Sequence, residues 1–291
     1  MQDKILKIIT DALKGADAKF DTDGQTVWVD GKDGRTFAVC VSECAGDADA
    51  DEGDQTYTVH LHASFMGAFD VKAGSEDDLF YDTSDFSEVK LTGSYAGNEP
   101  MRDCFYGSTD LEMATLLTYD CTYEAEVQMG RPIAKFNFIS TDRDKFIDYW
   151  VQQQAIRSGS LVKIDRNKVD LNKFTVRWVY PQFLPNTFNL HSGRPVDSAT
   201  GVRFDVPMRV NEDGNVDLGF DWMFVNPTES KVVVSLEIYD QEGAYLSTVS
   251  NIEVPLMRSH FTTVEGNILT NGINNGVSID PTYDGEFTII L

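Results

Sequence analysis

The sequence predicts a mainly β protein: one or two Greek-key β-sandwich domains with one inserted helix, preceded by a small helix-plus-hairpin unit. Three observations carry this. A series of short runs rich in β-branched and aromatic residues, among them TYTVHLHASF, KFTVRWVY, KVVVSLEIYD and EFTIIL, repeats along the chain after an acidic stretch. Turn residues separate the runs, and 22 Gly and 9 Pro supply them. At 291 residues the chain exceeds one typical domain, which suits one large β domain or two smaller ones.

The elements follow in order. Ile5, Ile8, Ile9, Ala12 and Leu13 recur at helical spacing and Gly15 stops the run, so residues 2–14 read as a short amphipathic helix. GQTVWVD and RTFAVCV flank GKDG as the two arms of a hairpin, completing an N-terminal unit over 1–44. Residues 45–54, AGDADADEGD, carry no large apolar side chain and read as an acidic linker. A sandwich domain is expected over 55–205 and a C-terminal sandwich portion over 206–291. Within the first, Thr141 and Asp144 resemble a capping box opening a helix over 142–157, with Phe146, Ile147, Trp150, Val151 and Ala155 on one face.

Composition excludes some partners. With 47 Asp plus Glu against 24 Lys plus Arg, the formal charge of −23 repels phosphate backbones and anionic lipid surfaces, so nucleic acid is not an expected partner. No apolar run reaches the roughly 18 residues of a membrane span. The opening MQDKILKIITDALKGA alternates charge with Ile and Leu and lacks the apolar core of an export signal. Cys40, Cys44, Cys104 and Cys121 are too few for a disulfide scaffold, and their pairing stays open.

Catalytic signatures are missing: there is no GxxxxGK[ST], no GxGxxG after a strand and no GxSxG elbow. His60 and His62 share one strand face, where two imidazoles can hold a metal, but His191 and His260 are distant in sequence and supply no third ligand. Two solvated histidines are the simpler reading, with a metal-dependent enzyme as its rival. Asp47, Asp49 and Asp51 alternate like a calcium loop, yet Glu52 stands where glycine is needed. Cys40 and Cys44 are four apart and do not form a redox pair. Trp178, Tyr180 and Trp222 are either core or a platform for a glycan. No cofactor, metal or catalytic residue is expected.

The final DPTYDGEFTIIL alternates Phe287, Ile289 and Leu291 with Glu286, Thr288 and Ile290, the period of a strand. Several segments, in order, then carry a family likeness: FYDTSDFSEVKL, MRDCFYGSTDL, MGRPIAKFNFISTD, LGFDWMFVNPTESKVVVSLEIYD, VPLMRSHFTTVEGNILT and GVSIDPTYDGEF. Together they resemble the fimbrillin-like proteins of Bacteroidales, relatives of the type V pilins, over roughly residues 56–291. The resemblance implies a transthyretin-like β-sandwich and a noncatalytic subunit or adhesin of a cell-surface fimbria. Its partners would be other fimbrial subunits, copies of itself, or surface glycans and proteins.

Members of that family assemble by strand exchange, which would make Phe287, Ile289 and Leu291 anchors of a donor strand; the alternative is an ordinary last strand paired within its own subunit. The likeness also places Ile133, Phe136 and Phe138 in a core with Pro132 at the strand start, and Arg258 at the opening of a domain-closing strand. It implies the outer membrane or cell surface. Neither Cys40 nor Cys44 follows the small residue of a lipoprotein signal, which leaves a cytoplasmic location open.

Overall fold

The computed structural model describes residues 2–16, 18–30, 35–43, 56–65, 80–112, 127–158, 164–274, 280–284 and 286–290. The acidic segment 45–54, with Asp47, Asp49 and Asp51, lies outside them, as do Cys44, Cys121 and Leu291. The chain is mainly β and divides into two compact units that are not consecutive in sequence. One comprises residues 1–94, 100–133 and 185–197; the other comprises 95–99, 134–184 and 198–291.

In the first unit, helix α1 (Gln2–Gly15) precedes strands β1 (Phe20–Thr22), β2 (Thr26–Asp30), β3 (Arg35–Glu43), β4 (Thr56–Phe65), β5 (Tyr81–Asp82), β6 (Val89–Leu91) and β7 (Cys104–Glu112). The hairpin β2–β3 does not stand alone. β3 pairs antiparallel with β4 from Arg35↔Phe65 to Glu43↔Tyr57, so the hairpin continues into the five-stranded sheet β1-β2-β3-β4-β7. Valines at period two, Val27, Val39 and Val41, cover one face of this sheet and receive Ile5 and Leu6 of α1.

The buried stripe of α1 differs from the expected one: Ile8 is 57% exposed and Ala12 is exposed, while Leu6 is buried. At 100° per residue, positions 5, 6, 9 and 13 fall within an arc of about 100° and position 8 lies about 60° outside it. The opposite face of the sheet carries Trp28, whose indole donates to Thr83 Oγ1 at 2.8 Å, and Tyr106, which meets Phe188 edge to face. Phe188 lies on β10 of the unit's second sheet, β11-β10-β6-β5, in which β10 is Leu184–Asn189 and β11 is Arg194–Ala199.

The second unit is a sandwich of two sheets. Its strands are β8 (Ile133–Ser140), β9 (Thr175–Val179), β12 (Arg203–Pro207), β13 (Arg209–Val210), β14 (Val216–Phe224), β15 (Ser230–Tyr239), β16 (Tyr245–Leu256), β17 (Phe261–Gly266), β18 (Asp280–Asp284) and β19 (Glu286–Ile290). They form a four-stranded sheet, β12-β9-β15-β16, and a six-stranded sheet, β13-β14-β8-β17-β19-β18. Strict alternation makes the interior: Val232, Val234, Leu236 and Ile238 of β15 are buried, as are Ala134, Phe136 and Phe138 of β8. Ile133, Phe136 and Phe138 are thus core residues, as the resemblance implies, and Pro132 precedes the strand without costing it a hydrogen bond.

Trp178 of β9 lies at the centre with no exposed surface. Its ring meets Phe138 at 4.9 Å and Phe136 at 5.6 Å between centroids, and its Nε1 donates to the Leu218 carbonyl at 2.8 Å. A residue of one sheet is thereby hydrogen-bonded to the backbone of the other.

The six-stranded sheet is mixed. β17 runs parallel to both neighbours, β8 and β19. Parallel neighbours need a crossover, and helix α3 (Ile268–Asn274) with β18 supplies it between β17 and β19. Helix α2 (Arg143–Ser158) follows β8 and buries Phe146, Ile147 and Trp150, with Phe146 and Trp150 both packed edge to face on Phe174. Ala155, expected on that face, is exposed.

The expected capping box is replaced by a different arrangement. The carbonyl of Asp142 accepts from Phe146 N–H, and Asp144 instead pairs with Arg166 at the surface. The buried Asp142 carboxylate caps the next helix: it accepts from the Thr270 N–H at 2.7 Å and from the hydroxyls of Thr270 and Ser140. Ser140 Oγ in turn accepts from Leu269 N–H at 2.9 Å, so two of the free donors at the start of α3 are satisfied from the end of β8.

Replacing Trp178 by Ala is expected to destabilise the protein by about 3–5 kcal/mol, and Trp178→Phe by about 1–3 kcal/mol, since Phe fills part of the space but orphans the Leu218 carbonyl. Urea denaturation followed by circular dichroism measures both; a Trp178→Phe loss close to zero contradicts a role for the indole N–H.

Candidate functional site

The six-stranded sheet has two unlike edges, β18 at one end and β13 at the other. β19 is not an edge strand. On one side it pairs with β17, with Thr262↔Phe287, Val264↔Ile289 and Glu265↔Ile290 in register, and on the other with β18, from Asp280↔Ile290 to Asp284↔Glu286. Because partnered residues share a face, Phe287 and Ile289 occupy the register positions of Thr262 and Val264, both fully buried. The outermost strand is β18, the first arm of the hairpin β18–β19.

At the other end, β13 pairs with β14 only at Val210↔Val216 and Arg209↔Asp217. Beyond that point a five-residue strap, 95–99, lies along β14. Phe220 spends its backbone groups on Asn98: the Asn98 N–H donates to the Phe220 carbonyl at 3.0 Å and the Phe220 N–H donates to Asn98 Oδ1 at 3.2 Å. Glu99 O accepts from Trp222 Nε1 at 3.1 Å, and the Tyr95 hydroxyl donates to Asp221 at 2.7 Å. The strap needs special backbone. Asn98 has φ of 56°, a left-handed conformation that Asn tolerates, and a Cβ at Gly97 would sit 2.1 Å from the Phe204 ring. Opposite it, Gly219 at φ +95° turns β14 so that Asp221 and Met223, not Phe220 and Trp222, continue the inward row of Val216 and Leu218.

That shift decides where the aromatics go. Trp178 is in the core, as described. Tyr180 is 2% exposed and donates its hydroxyl to Asp221 Oδ2 at 2.5 Å, so Asp221 receives two tyrosines as well as the Trp222 N–H. Trp222 is 8% exposed, with Lys135 Nζ 5.0 Å from its ring centroid. All three polar atoms, Trp178 Nε1, Tyr180 OH and Trp222 Nε1, are used internally. Sequence periodicity missed the strap altogether; its signal is the Gly97-Asn98 pair, a turn signature standing between two strand-like runs.

His60 and His62 lie on β4, an interior strand. His60 is in register with Cys40 and Ser108, and His62 with Ala38 and Tyr106, which puts both histidines at positions of one sheet face. Their side chains fall outside the described residues, as do those of Phe287 and Ile289. Among the described residues, no three or more His, Cys, Asp or Glu side chains come together as a metal site. His191 belongs to the first unit, where burial lowers its pKa; His260 belongs to the second, with its Nδ1 2.8 Å from the Arg258 carbonyl. Arg258 lies in the turn before β17 and donates to the Val225 carbonyl at 2.8 Å.

Cys40 is half-buried and Cys104 is buried. Burial, reinforced by the nearby carboxylates Asp85 and Asp23, pushes the Cys40 thiol up to about 11, which leaves it protonated and a poor nucleophile. No helix of the described residues is long and apolar enough to cross a membrane.

Two-sheet packing of alternating strands, with α2 following β8 and α3 following β17, defines a β-sandwich protein. The chain belongs to the family of unknown function DUF6562, whose profile matches residues 48–290. No curated protein matches it. Among solved structures, a candidate cell adhesion protein from Bacteroides ovatus is similar at a TM-score of 0.38 and 12% identity, covering 82% of this chain and 73% of that one. A candidate adhesin from the same species gives 0.35 and 12%, covering 67% of this chain and 57% of its own length, so the present chain spans little more than half of it. The fimbrial anchor protein Mfa2 from Porphyromonas gingivalis gives 0.35 and 10%, covering 75% and 73%. Likenesses of this size carry no argument about what the present chain does.

Cys40 is expected to alkylate slowly in the folded protein at pH 8 and faster towards pH ~11, read by mass mapping after iodoacetamide. Between the 9.0 of a free thiol and about 11, the unfolded chain ionises first, so stability falls as pH rises through that window.

Proposed function

We propose that this protein is a noncatalytic, fimbria-associated subunit or adhesin of the cell surface that joins its neighbours by β-strand exchange. Two kinds of support meet. One is the ordered series of segments from FYDTSDFSEVKL to GVSIDPTYDGEF, which resembles the fimbrillin-like proteins and with them a transthyretin-like sandwich. The other, which supports the mechanism, is the pairing of β19 along β17 as one arm of the hairpin β18–β19.

If the hairpin β18–β19 leaves, β17 keeps β8 on one side and exposes unpaired N–H and C=O groups from Thr262 to Glu265 on the other. The same hairpin from a neighbouring copy can restore those hydrogen bonds in the same register, with Phe287, Ile289 and Leu291 as the anchoring positions. The exchange costs little because the bonds lost and gained are alike. The strap 95–99 covers part of the other side of the sheet, along β14, and its removal would open a second acceptor.

Size-exclusion chromatography with light scattering tests this on the wild-type chain and on a chain ending at Gly285. After limited proteolysis the wild type is expected to form higher oligomers, while the truncated chain stays monomeric and binds a synthetic peptide of residues 280–291. Monomers throughout, with no peptide binding, would sink strand exchange.

A further inference from the structure

The outward face of the four-stranded sheet carries an organised polar and aromatic row that the assembly described above does not use. Asp205 of β12, Arg177 of β9, Glu237 of β15 and Thr248 of β16 are consecutive partners across the four strands. The next row holds Tyr239 beside Tyr245. Inward of both rows lie Val176, Val206 and Ile238, so the platform stands on the packed core.

Its geometry is held from within. Arg177 makes a two-point contact with Asp205, Nε to Oδ1 at 2.7 Å and Nη2 to Oδ2 at 2.9 Å, and its Nη1 donates to the Tyr239 hydroxyl at 3.2 Å. Tyr239 donates to Glu237 Oε2 at 2.6 Å, and the guanidinium carbon lies 4.8 Å from the Tyr239 ring centroid. Tyr245 meets Tyr239 edge to face at 5.9 Å and leaves 51% of its own surface to solvent. The Arg177 hydrogen bonds keep Asp205 below the usual carboxylate range, so the pair stays ionised.

We infer that this face binds a neutral saccharide, stacked on Tyr245 and hydrogen-bonded through Asp205, Arg177, Glu237 and Thr248. A pyranose offers an apolar C–H face to an aromatic ring and a rim of hydroxyls that both donate and accept. The row matches that pattern: an exposed ring and the Thr248 hydroxyl on β16, then the Glu237 carboxylate, the Arg177 guanidinium and the Asp205 carboxylate across three strand spacings, a length that suits a saccharide of more than one ring. Arg177, Tyr239 and Glu237 are pinned by one another, which lowers the entropy cost of binding. Charge selects the ligand further. Asp205 and Arg177 cancel, and Arg203 beside Asp205 offsets Glu237, so the face is close to neutral within a chain that carries −23, which suits an uncharged sugar.

This site is separate from the hairpin, and its test does not depend on assembly. Saturation-transfer difference NMR on the full chain with lactose, maltotriose and cellotetraose as probes is expected to show transfer to the ring protons of at least one sugar. Tyr245→Ala and Glu237→Gln, both at the surface, are each expected to weaken that binding about tenfold while the circular dichroism spectrum is unchanged. Absence of transfer from all three sugars, or transfer unaltered in Tyr245→Ala, overturns the inference. So does light scattering that finds a dimer which Tyr245→Ala abolishes, because the face is then a protein interface.

Discussion

A single indole crosses the sandwich of the second unit, and much of the architecture depends on it. Trp178 starts on the smaller sheet, packs between Phe136 and Phe138 of the larger one and stacks on Phe204, with its N–H on the Leu218 carbonyl. Two facing sheets held only by apolar side chains can slide, since dispersion has no direction. A buried N–H aimed at one carbonyl removes that freedom, because any slip leaves both groups unpaired in an apolar interior. Phe204 ties the same ring to the strap, for it fills the space that a side chain at Gly97 would need.

Around this centre, carboxylates connect segments that are remote in sequence. Asp221 collects Tyr95, Tyr180 and its neighbour's N–H, and so fastens the strap to β14 and β9. Asp142 does the same for β8 and α3. Each is buried and each accepts several hydrogen bonds, the condition under which a buried carboxylate is tolerable. The parallel strand β17 depends on the second of these, since α3 has to be docked for the chain to turn back towards β19. The pairing of β19 along β17 and a carboxylate that caps a helix are therefore parts of one construction.

Strands were legible where side chains alternate strictly. In KFTVRWVY and KVVVSLEIYD the buried set is the alternating apolar set, and in RPIAKFNF the three expected core residues are buried. Legibility failed where the period is interrupted. The run LGFDWMFV hides a bend at Gly219, after which the inward parity changes, so Trp222 and Asp221 exchange the roles that a regular strand assigns them. Ile8 of α1 and Ala155 of α2 have helical spacing but face solvent, because what covers a helix face is a neighbour, and spacing does not record where the neighbour ends. The strap was invisible for a related reason: its bonds are to residues more than a hundred positions away.

By itself, the sequence determined the β class, the alternation that builds two apolar faces, the absence of familiar catalytic signatures and a formal charge of −23. These are local or additive properties, set by residue type and period. Only the tertiary structure decided that the last strand lies between β17 and β18, that β17 is parallel to both neighbours, and that Trp178, Tyr180 and Trp222 are interior while Tyr245 stands in solvent. Pairing partners and exposure are relations between distant segments. A strand's period specifies that it has two faces, and the fold chooses which face, and which edge, meets water.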